Sequence, residues 1–105
     1  MIWDSNLICY NMLMKTEKAH LFIDGRVQGV FYRAFTRNLA SKLGINGWVR
    51  NLYDGRVEAL FEGTREVIEQ AIQECWRGPS GSSVTNIDVQ WEKSSGEYKG
   101  FEIRY

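Results

Sequence analysis

The sequence predicts an α+β sandwich: an antiparallel sheet with two helices on one face and a short extra strand at the end. Three observations predict it. Two segments, at 31–44 and 65–77, repeat apolar residues at helical spacing. Four others, at 18–25, 45–51, 56–63 and 84–92, have the length and composition of strands. Glycine-rich or Asp-Gly turns separate them, which sets the order β-α-β-β-α-β. That order is the split βαβ, ferredoxin-like arrangement.

Each element has its own justification. In KAHLFIDG, Leu21 and Ile23 fall on one face and His20 and Phe22 on the other. A glycine-framed loop leads into FYRAFTRNLASKLG, where Phe31, Phe35, Leu39 and Leu43 recur every fourth residue and Ala34 widens the stripe. Gly44 suits the position just past the helix end. INGWVRN is the second strand, and Asp54-Gly55 is a strong hairpin-turn signal before RVEALFEG, the third. Thr64 caps the second helix, with Glu66 in its first turn. That helix carries Val67, Ile68, Ala71, Ile72, Cys75 and Trp76 as its apolar stripe and ends at Gly78-Pro79. SGSS connects it to VTNIDVQWE, the fourth strand. Residues 94–100 are polar and loop-like, and FEIRY is the short last strand. Trp48, Trp76 and Trp91 are expected in or beside the core.

The chain has 105 residues, room for one domain and not two. With 44% apolar and 13% aromatic residues it can fill a core without disulfides or structural zinc. Thirteen basic residues balance thirteen acidic ones, which argues against nucleic acid as a partner. The domain is expected at 15–105. Residues 1–14, MIWDSNLICYNMLM, form an extension of doubtful role: a dispensable leader, with Met12 and Met14 as alternative starts, or a segment that packs on the domain or on a partner. It lacks the basic start and cleavage site of a signal peptide. No apolar run is long enough to span a membrane. Cys9 and Cys75 make no disulfide framework, and Cys75 is expected as a small core residue. With His20 the only histidine, no metal site is expected. A reducing, cytoplasmic compartment fits the cysteine usage.

GRVQGVFYR, residues 25–33, turns from a strand into a helix N-terminus. Gly25 and Gly29 let the backbone aim several N–H groups at one point, and the positive end of the helix adds to them. Arg33 lies in the first helical turn, and its planar fork suits two phosphate oxygens. The plainer reading is a tight turn and an exposed arginine. Gln28 is open between a surface amide, a brace for the loop and a ligand contact. Asn51 ends the second strand. It is either a turn asparagine or an amide that orients a nucleophilic water. Strand alternation sends Arg50 to the opposite face, as a surface charge.

Two stretches together resemble the acylphosphatase family. Its first signature, G-x-V-Q-G-V-x-[FY]-R, reads Gly25, Val27, Gln28, Gly29, Val30, Tyr32, Arg33. Its second, G-[FYW]-[AVC]-x-N followed by G-x-V and a later glycine, reads Gly47, Trp48, Val49, Asn51, Gly55, Val57, Gly63. GFEIRY is similar to the family's usual ending. The resemblance covers about residues 16–105 and implies the ferredoxin-like fold. It implies hydrolysis of acyl phosphates to a carboxylate and inorganic phosphate, without metal or other cofactor. Arg33 would bind the phosphate, the backbone of Gln28, Gly29, Val30, Phe31 and Tyr32 would cradle it, and Asn51 would orient the water.

Two other classes compete. A binding module could hold phosphate without turnover. An RNA-recognition module shares the element order, but its third strand should carry stacking aromatics, and VEALFEG has one aromatic and two acids. The expected partner is therefore a small acyl phosphate, neither nucleic acid nor membrane, and the protein is expected as a monomer. No signature shows where the acyl half binds.

Overall fold

The computed structural model describes residues 15–105. The extension 1–14, with Trp3 and Cys9, lies outside the described residues. The elements run β1 (Thr16–Arg26), α1 (Tyr32–Leu43), β2 (Asn46–Asn51), β3 (Val57–Thr64), α2 (Arg65–Arg77), β4 (Ser83–Lys93) and β5 (Phe101–Ile103). The strands form one sheet in the order β4-β1-β3-β2-β5. Both helices pack on one face, α1 over β2 and β5, α2 over β3 and β4. This is the ferredoxin-like architecture expected from the element order.

Alternation decides which side chains enter the core. Ala19, Leu21 and Ile23 of β1 join Val57, Ala59 and Phe61 of β3 and Val49 of β2 beneath the helices, all essentially without exposure. From α2 come Ile68, Ala71 and Cys75. Trp76 does not follow them: it stands half-exposed, because one residue beyond Cys75 rotates it about 100° away from the buried stripe.

Two further differences from the sequence reading bear on the site. The four long strands pair antiparallel as expected, but β5 runs parallel to β2, with Gly47 opposite Phe101, so the sheet is mixed. Phe31 is not part of the α1 stripe. It is the N-cap in a left-handed conformation (φ 63°) and 85% exposed, while the buried positions of α1 are Tyr32, Thr36 and Ala40. The buried Tyr32 hydroxyl donates to Cys75 O at 2.6 Å and ties the two helices together. Burial also pushes the Cys75 thiol up to about 12, which makes it an inert core residue.

Gly47 shows how closely β2 meets its neighbour. Its φ is 140°, and a Cβ there would lie 1.9 Å from Leu60 O, a backbone atom that cannot move aside. Gly47→Ala combines left-handed strain with overpacking, each about 1–3 kcal/mol. The expected result is a large drop in the urea midpoint of unfolding.

Glu62 of β3 pins the 94–100 loop and through it β5. Its Oε2 accepts from Ser95 N at 2.7 Å, Ser94 Oγ at 2.8 Å and Gly96 N at 3.0 Å. Burial pushes this carboxyl upward, but the hydrogen bonds from Gly96, Ser94 and Ser95 outweigh it and hold the group below its ordinary value. The stabilisation is thus complete above the unfolded value of about 4.3 and fades as pH falls through the folded one. Glu62→Gln is expected to be less stable than the parent near pH 7. The gap in urea midpoint should close as pH is lowered toward 3. A gap that stays constant with pH would contradict this account.

Candidate active site

The chain leaves β1 through Val27, which is buried, and turns twice before α1 begins. Both turns use left-handed residues, Gly29 at φ 75° and Phe31 at φ 63°. For a phenylalanine this conformation costs about 1–2 kcal/mol, a strain of the kind that collects at functional loops. Among the described residues, the N–H groups of Gln28, Gly29, Val30 and Phe31 donate to no backbone carbonyl.

The start of α1 is also unusual for what it lacks. Phe31 supplies no side-chain cap, and the first turn holds no acidic residue. At α2, Thr64 accepts from Val67 N and Glu66 sits in the first turn. The positive end of α1 is therefore left unneutralised by the chain, and Arg33 in its first turn adds a full charge. Among the described residues Arg33 pairs with no carboxylate, a property it shares with Arg26 and Arg37, whereas Arg50, Arg56, Arg65, Arg77 and Arg104 each have at least one. Its guanidinium carbon instead lies 4.9 Å from the centre of the Tyr105 ring.

Arg33 and Asn51 line the same cavity, of about 290 Å³, with Val27, Gly29, Phe31, Tyr32, Ala34, Ile103 and Tyr105. The side-chain oxygen Oδ1 of Asn51 is buried and accepts no hydrogen bond from the described residues. An orphaned buried acceptor costs about 1–3 kcal/mol, and Trp48 Nε1 is a second buried polar atom left without a partner among the described residues. Among the described residues no Asp, Glu or His lines the cavity. Tyr32 offers no base either, because burial and its bond to Cys75 O push the phenol far above its ordinary range.

The residues expected at the site are thus brought together unevenly. Arg33, Asn51, Gly29, Phe31 and Tyr32 line the cavity. Val30 turns its side chain onto the core. The Gln28 side chain points away from the cavity and acts as a brace. Its Nε2 donates to Leu52 O at 2.7 Å and Arg56 O at 2.9 Å. It therefore ties the loop to the β2–β3 hairpin that carries Asn51, the brace among the three readings open for it. Arg50 does not line this cavity and pairs with Glu58 at 2.6 Å. Sequence reasoning missed Ile103 and Tyr105, which reach the cavity only because β5 pairs with β2. Among the described residues, no three His, Cys, Asp or Glu side chains cluster as metal ligands, and no helix is long and apolar enough to cross a membrane.

The family model described as acylphosphatase matches residues 19–103. The chain is 53% identical over 91 residues to the acylphosphatase of Roseiflexus sp. (strain RS-1), covering 87% of this chain and 98% of that one. The crystal structure of acylphosphatase from Bacillus subtilis superposes with a TM-score of 0.83 at 37% identity, over 85% of this chain and 99% of that one. Full-length HypF in its phosphate- and nucleotide-bound form aligns at 30% identity and a TM-score of 0.77. That match covers 88% of this chain but 12% of the larger protein.

Proposed function

The chain belongs to the acylphosphatase family and is a hydrolase of acyl phosphates, and from that premise we propose how its residues divide the work. Arg33 and the N–H groups of Gln28, Gly29, Val30, Phe31 and Tyr32 hold the phosphate. Asn51 orients the water. The observation that carries this reading is the shared cavity. Gly29 and Phe31, whose N–H groups donate to no backbone carbonyl, the Arg33 guanidinium without a carboxylate, and Asn51 with its unpartnered Oδ1 all line one cavity with room for a phosphate.

The chemistry asks little more. In an acyl phosphate the leaving group is a carboxylate, so the phosphoryl group needs positioning and charge stabilisation rather than a strong nucleophile. Arg33 and the loop dipoles neutralise the non-bridging oxygens as they gain charge. The water held by Asn51 attacks phosphorus as the bond from phosphorus to the acyl oxygen breaks. A carboxylate and inorganic phosphate are released. With no titratable base lining the cavity, the water's proton passes to the phosphate itself or to bulk water. The reaction proceeds without metal. We propose further that the protein acts as a cytoplasmic monomer.

The test is hydrolysis of benzoyl phosphate at neutral pH with a chelator present. Turnover insensitive to the chelator is expected. A folded protein that binds inorganic phosphate but does not turn over benzoyl phosphate would move the reading to a binding module.

A further inference from the structure

Beside the phosphate cavity lies a second, larger one of about 570 Å³, lined by Gln28, Arg50, Asn51, Leu52, Tyr53 and Tyr105. Asn51 and Tyr105 border both spaces. An acyl phosphate held by its phosphate beside Asn51 must project its acyl half somewhere, and this is the adjoining space. The walls are distinctive. Tyr53 at the hairpin tip and Tyr105 after β5 are both fully exposed, at 112% and 98% of the reference area. Neither ring contributes to the core. Arg50 brings a charge that the Glu58 carboxylate bonded to its Nε offsets, and the two tyrosine rings add flat surface to an otherwise polar lining.

Resting on the phosphate-site reading above, we propose that the cavity between Tyr53 and Tyr105 seats the acyl half, and that the two rings favour flat, uncharged acyl groups over acetyl. Tyr105 joins the subsites, since its ring also lies against the Arg33 guanidinium. Tyr53 belongs to the acyl side alone and is the specificity-determining residue. Gln28 holds the hairpin of Tyr53 at its place through Leu52 O and Arg56 O.

The test compares kcat/KM for benzoyl phosphate and acetyl phosphate in the parent, Tyr53→Ala and Tyr53→Phe. An aromatic contact of this kind is worth about 3–10-fold in affinity. The benzoyl-over-acetyl ratio is expected to fall by about that factor in Tyr53→Ala, through KM, and to return in Tyr53→Phe, which keeps the ring. A ratio unchanged in Tyr53→Ala overturns the subsite while leaving the phosphate site intact. Equal losses on both substrates also overturn it, because the ring would then only support the hairpin. A parent protein that hydrolyses neither compound overturns the phosphate-site reading, and the subsite with it.

Discussion

Arg33→Ala is expected to lower kcat/KM for benzoyl phosphate by about 10³-fold or more, with the fold retained. Removing one preorganised donor from a developing oxyanion costs about 10²–10³ in rate, and an arginine on a transferring phosphoryl group is worth about 10³–10⁵. The fold should survive because Arg33 has no ion-pair partner to orphan among the described residues and touches mainly the exposed Tyr105 ring. Arg33→Lys keeps the charge but loses the planar fork, so it should recover only a minor part of the activity. Far-ultraviolet circular dichroism and urea unfolding separate lost chemistry from lost structure. An Arg33→Ala protein that is folded and within tenfold of the parent would remove this arginine from the mechanism.

The second large effect is expected at Asn51. Asn51→Ala removes the one side-chain amide that lines the cavity on the β2 side, so kcat should drop by about 10²-fold. KM should change little, because the phosphate is held by the loop and Arg33. Stability should rise slightly or stay level, since the substitution deletes a buried acceptor that the described residues leave unpaired. A drop in activity accompanied by a large loss of stability would point to a turn asparagine instead.

The sequence made the architecture legible because the strands and helices obey their own periods. Leu21 and Ile23, and Ile68, Ala71 and Cys75, are buried as alternation and helical spacing require. It misled where one residue departs from its period. Phe31 continues a four-residue repeat on paper, yet its left-handed backbone turns it outward and starts α1 one residue later. Trp76 sits at the margin of a stripe that closes at Cys75. Arg33 and Asn51 line one cavity, but from the residues alone they read equally as an exposed arginine and a turn asparagine, and it is the resemblance to the family's signatures that singles them out. Tyr105 was not legible, because it meets Arg33 only through the parallel pairing of β5 with β2. The brace was one of three readings open for Gln28, and the sequence could not choose it, because it depends on how the hairpin docks against a loop some 24 residues earlier. Local pattern carries no information about such docking.

The measurement that bears most directly on this division of labour is kcat together with the inhibition constant of inorganic phosphate, taken on the parent, Arg33→Ala and Asn51→Ala. The expected result is that Arg33→Ala loses both turnover and phosphate inhibition, while Asn51→Ala loses turnover and keeps the inhibition. If phosphate inhibits Arg33→Ala as well as it does the parent, or Asn51→Ala loses inhibition in step with turnover, the assignment of grip to Arg33 and water to Asn51 is wrong.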